Sequence, residues 1–151
     1  MLGVDLGSKR VGLAIADAGI GIARPLTTVA RGASLEDDVA TLARVCREQD
    51  VSELVVGLPV EARGGEGTMA DAARAWASAV AERLTLPVTM RDERLSSFEA
   101  ERRLGRMPRG RSGGAPSRTQ RNLFRARIDR EAASVILQDE LDARTRPGDD
   151  R

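Results

Sequence analysis

The chain of 151 residues is long enough for one domain with a substantial core, and its 41% hydrophobic and 31% charged residues are typical of a globular protein. It contains no histidine, no tyrosine and one cysteine, which excludes Ser-His-Asp and Cys-His catalysis, histidine-ligated zinc and an internal disulfide. Without histidine and tyrosine, the groups that remain for catalysis are carboxylates, hydroxyls, Lys9, arginines and bound metal ions, and oxygen ligands such as carboxylates favour Mg²⁺ or Mn²⁺. The net charge of the chain is +1.

The first half of the chain predicts three strands and one helix. Strand patterns cover residues 1–6, 10–17 and about 22–30, the first two joined by a glycine turn that is typical of a hairpin. Pro25 predicts that the third strand lies at an edge of the sheet. A cap at Ser34 predicts a helix to about Gln49, with Cys46 on its inward stripe as a core thiol.

The second half alternates short apolar runs with helical patterns. Strands are predicted at 53–59 and 86–92, and helices at 68–84, 96–106 and about 117–144. Trp76 lies on the apolar face of the first of these helices and is predicted to be core. A break near Asp129 is one interpretation of the last helical pattern, and Ser96 is predicted to cap the helix before it.

This order of elements predicts an α/β domain. Three antiparallel strands followed by strand–helix–strand units require a mixed five-stranded sheet with helices on both faces. We expect a single domain over 1–145 and a flexible tail over 146–151. No run approaches the roughly 20 apolar residues of a membrane span, and a strand pattern starts at Met1, so a cytoplasmic protein without a signal peptide is expected.

Asp5 is the most informative residue, because it ends a strongly apolar strand. An ionised carboxylate among valine and leucine needs a partner or a metal, which favours a functional role over the alternative of a turn-capping Asp. Glu93 follows the last predicted strand, and functional residues gather at the carboxyl ends of parallel strands. With Asp129 near the start of a C-terminal helical turn, these acids are compatible with one site. Divalent ions would relieve their mutual repulsion and hydrolyse a phosphodiester without histidine, which predicts a nuclease of the two-metal-ion type.

Arginines cluster late in the chain. Residues 101–130 contain ten arginines and two acids, about twice the arginine number expected from the overall composition. This clustering predicts a phosphate-facing patch, with a merely solvated helix face as the alternative. The predicted nucleic-acid contacts are Lys9, Arg10, Arg94, Arg109, Arg111, Arg118, Arg121 and Arg125.

Four motifs in order also resemble a known family. They are Gly3-Val4-Asp5-Leu6-Gly7 with Val11-Gly12-Leu13-Ala14, Val55-Val56-Gly57-Leu58-Pro59, Asp92-Glu93-Arg94-Leu95-Ser96-Ser97, and Ile128-Asp129 before Ala132-Ala133. Together they resemble the YqgF (RuvX) family, and the match runs through nearly the whole chain.

The resemblance implies a ribonuclease H-like fold and a role as a pre-16S rRNA nuclease, with a Holliday-junction-resolvase-like activity as the alternative. By position, the catalytic and metal-ligating acids of the family fall on Asp5, Glu93 and Asp129. Asp92 is either a fourth ligand or a structural partner for Arg94, and the structural role is favoured. The basic stretch usually contains lysine in relatives, whereas here it contains only arginine.

Two other function classes remain at this point. Asp5-Leu6-Gly7-Ser8 also resembles the first phosphate loop of the actin and sugar-kinase superfamily, but such proteins enclose the nucleotide between two domains, more than this length supplies. A catalytically silent RNA-binding or ribosome-assembly factor would keep the same fold. Aromatic residues make up only 2% of the chain, which argues against an extended stacking platform and favours backbone recognition. The sequence does not decide between RNA and branched DNA, or between a monomer and a homodimer.

Overall fold

The computed structural model describes residues 1–59, 67–92 and 96–146. Its elements, in chain order, are strands β1 to β5 and helices α1 to α4. The strands are β1 (Leu2–Leu6), β2 (Arg10–Asp17), β3 (Ile22–Ala30), β4 (Leu54–Leu58) and β5 (Val88–Asp92), and the helices are α1 (Leu35–Glu48), α2 (Thr68–Leu84), α3 (Ser96–Leu104) and α4 (Arg118–Thr145).

The strands form one mixed sheet in the order β3-β2-β1-β4-β5. The first three pair antiparallel, and β1, β4 and β5 pair parallel, as the sequence predicts. β3 is an edge strand, and the register shift opposite Leu13 and Ala14 lies beside Pro25. Proline cannot donate a ladder hydrogen bond, so the edge and the irregularity have the same cause.

Helices cover both faces of the sheet. Leu42 and Val45 of α1 and Trp76 and Val80 of α2 pack on one face against Leu2 and its neighbours in the sheet. The opposite face packs against α4, whose Ala133, Ile136 and Leu137 contact Ala14 and Val55. Cys46 and Trp76 are buried in the first of these cores, which confirms both predictions. No helix within the described ranges has the length and apolar character needed to cross a bilayer.

α4 is one continuous helix of 28 residues, and it begins at a capping box between Ser117 and Gln120. The break considered near Asp129 does not occur, so the expectation that this residue starts a helical turn is wrong: Asp129 lies in the middle of the helix. Packing along the whole sheet stabilises the helix through its polar middle, because tertiary contacts outweigh local propensity.

α3 also differs from its prediction. Its first helical residue is Ser96, which is buried, and the helix ends at Leu104, before the predicted end at Arg106 and just before Gly105, whose φ is +73°. A glycine in the left-handed conformation is the usual stop just beyond a helix. Arg146 closes the described part of the chain, and the rest of the predicted tail lies outside the described residues.

Candidate active site

Two of the three predicted acids lie on elements that meet at Gly12. Asp5 pairs directly with Gly12 in the antiparallel register of β1 and β2. A Cβ built on Gly12 would lie 2.0 Å from the carbonyl oxygen of Asp129. The backbone of α4 therefore rests on Gly12, so the Asp129 backbone lies next to the strand position that pairs with Asp5, on the α4 face of the sheet.

Glycines make this close approach possible. Any side chain at position 12 would collide with the Asp129 backbone, and at Gly3 a Cβ would lie 2.8 Å from the Ala133 carbonyl oxygen. Glycine in the interior of a strand often marks the close approach of another backbone. The sequence analysis does not single out Gly12 as the position where α4 contacts the sheet, although a glycine inside a buried strand is the signal that indicates such a contact.

Asp129 is held by Arg10. The Arg10 Nε donates to Asp129 Oδ2 at 2.6 Å, and both side chains are partly exposed. The predicted nucleic-acid contact at Arg10 is therefore directed at a candidate ligand carboxylate. The Arg10 guanidinium therefore already balances the negative charge of the Asp129 carboxylate.

Glu93 and Arg94 lie outside the described residues, so their predicted roles as metal ligand and nucleic-acid contact stay predictions. Across 1–59, 67–92 and 96–146, no three acidic or cysteine side chains are grouped closely enough to hold a metal ion. Asp5 and Asp129 nevertheless supply hard oxygen donors of the type that Mg²⁺ and Mn²⁺ prefer, and the Arg10 guanidinium shows that a cation fits against one of them.

Asp92 lies on a different face from Asp5. It pairs in register with Leu58, which packs with Ala70 and Ala73 on the α2 side of the sheet. Because side chains alternate along a strand, Asp92 faces α2, whereas Asp5 faces α4. This placement favours a structural role for Asp92, which stays a prediction.

Arg31 anchors the turn that follows Asp5. Its Nη1 donates to the Gly7 carbonyl oxygen at 2.9 Å, and its Nε donates to the buried Asp38 carboxylate at 2.9 Å. Trp76 Nε1 also donates to Asp38, at 3.0 Å. Burial raises the pKa of the Asp38 carboxyl, but hydrogen bonds from the Gly32 amide, Trp76 and Arg31 outweigh it, and the pKa lies below its usual value. The sequence does not indicate this hydrogen-bonded cluster of Arg31, Asp38 and Trp76, because the three residues are separated in the chain.

The predicted basic residues of α4 form one row. Arg118, Arg121 and Arg125 lie three and four residues apart, and Asp129 follows four residues later on the same helix face. We call Arg118, Arg121 and Arg125 the arginine row. All three are exposed, and at a rise of about 1.5 Å per residue the row spans roughly 10 Å of α4, ending about one turn from Asp129.

Most of the predicted basic contacts are available to a ligand. Arg121 donates to the Pro116 carbonyl oxygen at 2.6 Å. The other predicted contacts in the described part of the chain, apart from Arg10, have exposed side chains with no side-chain hydrogen bond or ion pair there; they are Lys9, Arg109, Arg111, Arg118 and Arg125.

Comparison with known proteins gives concordant matches. Residues 1–143 match the model of the family RuvX, described as Holliday junction resolvase. A protein of Anaeromyxobacter dehalogenans (strain 2CP-C) named "Putative pre-16S rRNA nuclease" is 48% identical over 143 residues, covering 95% of this chain and 96% of the relative. A protein of the same name from Chloroflexus aurantiacus is 41% identical over 144 residues, covering 95% of this chain and 87% of the relative.

Solved structures show the fold. Thermus thermophilus RuvC in complex with a Holliday junction substrate superposes with a TM-score of 0.53 at 16% identity, covering 95% of this chain and 93% of that one. A second structure of this RuvC gives a TM-score of 0.51. The mixed five-stranded sheet is thus a ribonuclease H-like fold, as predicted.

Proposed function

This chain belongs to the RuvX family of nucleases, and we propose that it hydrolyses phosphodiester bonds in structured nucleic acid, with the 5′ end of pre-16S ribosomal RNA as its substrate. Relatives above 40% identity bear the pre-16S rRNA nuclease name, and the match covers nearly all of both chains. A role in ribosomal RNA processing corresponds to a cytoplasmic protein.

The observation that supports this proposal is the close approach of the Asp129 backbone to Gly12, the residue that pairs in register with Asp5. Carboxylates from distant parts of the chain gather only at a cost in electrostatic free energy, unless cations lie between them. The Arg10 guanidinium already pairs with Asp129, and a divalent ion bound between Asp5 and Asp129 would relieve the remaining repulsion between the two carboxylates.

We assign Asp5, Asp129 and, by family resemblance, Glu93 as the ligands of Mg²⁺ or Mn²⁺. When bound, two such ions activate a water molecule and stabilise the leaving oxygen of the cleaved phosphodiester. The carboxylates would fix the positions of these ions. α4 holds Asp129 rigidly because the helix continues unbroken on both sides of it. Arg10 balances the charge of Asp129 and has to release this carboxylate, or share it, for a second cation to bind there.

The arginine row supplies the substrate contacts in this proposal. Exposed guanidiniums bind phosphate oxygens bidentately and fix a nucleic-acid backbone without reading its sequence. Because the row ends one turn from Asp129, a strand bound along it would pass beside the candidate carboxylates. Lys9, Arg109 and Arg111 would extend this surface.

The alternative is resolution of a Holliday junction, which the family description favours. Symmetric cleavage of a four-way junction needs two active sites, and therefore a homodimer. A nuclease that works at one site of a folded RNA has no such requirement. Substrate preference and oligomeric state measured together separate these roles.

The proposal is tested by cleavage of a pre-16S rRNA 5′ fragment and of a four-way DNA junction, in Mg²⁺ and in Mn²⁺. Removing a residue that only hydrogen-bonds to a metal ligand costs roughly 10- to 100-fold in activity. Asp5→Asn and Asp129→Asn change proposed ligands themselves, so we expect each of them to lose more activity than this. Asp17→Asn is the matched control, because Asp17 ends β2 as an exposed carboxylate that accepts from the Gly19 amide. Equal cleavage by the two site variants and the control would reject the site. Binding of the fragment without cleavage by the wild type would indicate the silent assembly factor instead.

A further inference from the structure

A groove between α3 and α4 has no role in the proposed cleavage chemistry. It has a volume of about 660 Å³, and Phe98, Met107, Phe124 and Ile128 form its apolar lining. Phe124 is buried, whereas the ring of Phe98 is left 65% exposed. The exposed face of the Phe98 ring, at the edge of an apolar groove, is therefore accessible to a ligand.

The walls of this α3–α4 groove are positively charged. Arg102 is committed to Glu99 through two hydrogen bonds of 2.9 Å, and Glu101 contributes one opposing charge. Arg106 and Arg125 also line the groove, and neither side chain forms a hydrogen bond or ion pair with any described residue. An apolar floor with two available guanidiniums is complementary to a ligand that is planar and apolar at one end and anionic at the other.

The position of the groove connects it to the candidate active site. Ile128 precedes Asp129, and Arg125, which closes the arginine row, also lines the groove. A strand that follows the row toward Asp129 therefore passes the mouth of the groove. The ligand with the required chemistry at that place is a nucleotide of the substrate itself.

We propose that the α3–α4 groove takes one unpaired nucleobase of the substrate, stacked on Phe98, while Arg106 and Arg125 bind the flanking phosphates. This inference rests on the proposed nuclease function and specifies its substrate as nucleic acid with an unpaired base next to the cleaved bond. A base inside a duplex has both faces covered by its neighbours, so only a bulged, looped or junction base offers a free face. A single ring cannot form an extended single-strand platform, which agrees with the low aromatic content.

The experiment compares two RNA duplexes that differ at one position, which carries either a bulged 2-aminopurine or an abasic nucleotide. Affinities are measured in EDTA, which prevents cleavage, and 2-aminopurine fluorescence reports stacking. Stacking of one base on one aromatic ring predicts that the wild type binds the bulged base about 5- to 150-fold more tightly than the abasic probe. Phe98→Ala should bind both probes with the abasic affinity, and Phe98→Tyr, which keeps a ring, should retain the preference. Leu123→Ala is the matched control, because Leu123 is a 63% exposed apolar residue of α4 that does not line the groove.

Each other result overturns the inference. Equal affinity of the wild type for the two probes, or a preference that survives Phe98→Ala, would show that no base occupies the groove, while cleavage by the wild type would leave the proposed function intact. A wild-type dimer that Phe98→Ala converts to a monomer in light scattering would identify the occupant as a second copy of the chain. If the wild type neither binds nor cuts any nucleic acid, the proposed function fails together with this inference.

Discussion

Replacing Gly12 with alanine should separate the candidate carboxylates without touching either of them. The added Cβ would lie 2.0 Å from the Asp129 carbonyl oxygen and 2.3 Å from its carbonyl carbon, whereas real Cβ contacts essentially never fall below 3.0 Å. Both obstructing atoms belong to a helix backbone, which cannot rotate away as a side chain would. α4 therefore has to move by about 1 Å at Asp129, and overpacking of this kind costs roughly 1–3 kcal/mol of stability.

The same displacement should reduce cleavage far more than it reduces stability. A misplacement of about 1 Å in a reacting constellation can cost on the order of 100-fold in rate. We expect Gly12→Ala to fold, to melt at a lower temperature, and to lose about two orders of magnitude in cleavage rate. The rate is measured on the RNA fragment at a temperature where circular dichroism shows that the variant remains folded.

Gly3→Ala is the control for general loosening of α4. Its Cβ would meet the Ala133 carbonyl oxygen and the Leu137 Cβ at 2.8 Å, which a shift of a few tenths of an ångström relieves, one helical turn beyond Asp129. It should lower stability and leave the cleavage rate within a few fold of the wild type. The reasoning is refuted if folded Gly12→Ala cuts at the wild-type rate, or if Gly3→Ala loses as much activity as Gly12→Ala.

Two further predictions concern the charges around the site. Because the folded-state pKa of Asp38 lies below its unfolded value of about 3.9, its stabilising contribution is fully present above the unfolded value and is lost as the pH falls from there through the lower folded-state pKa. Thermal melts between pH 6 and pH 3 should therefore show a steeper loss for the wild type than for Asp38→Asn, which should already be destabilised by about 1–3 kcal/mol at pH 6; parallel curves would contradict this. Arg10→Gln removes the cation that occupies the Asp129 carboxylate, so calorimetric titration should detect Mn²⁺ binding at lower concentration than in the wild type, and weaker binding would show that Arg10 supports the site.

The sequence predicts most of the fold because the residues that begin and end its strands and helices are adjacent to those elements in the chain. Helix 68–84 is confirmed to the residue, and the edge position of β3 follows from Pro25 alone. The predictions fail where tertiary packing outweighs local chemistry. A break near Asp129 is expected from the polar stretch around it, but packing against the sheet keeps α4 continuous.

The candidate site likewise has one part that the sequence predicts and one part that it does not. Asp5 is predictable, because a carboxylate at the end of an apolar strand is costly by itself and the carboxyl edge of such a sheet is where ligands bind. The position of Asp129 over that edge cannot be predicted from the sequence, because it depends on the angle at which α4 crosses the sheet. The hairpin between β1 and β2 nevertheless contains part of that information: its short turn fixes the register that sets Gly12 opposite Asp5. A strand residue without a side chain, directly across from a functional acid, leaves a gap that only another backbone fills closely. The missing side chain at position 12 is therefore as much a part of the proposed site as the two carboxylates, because it allows the backbone of Asp129 to approach the strand that pairs with Asp5.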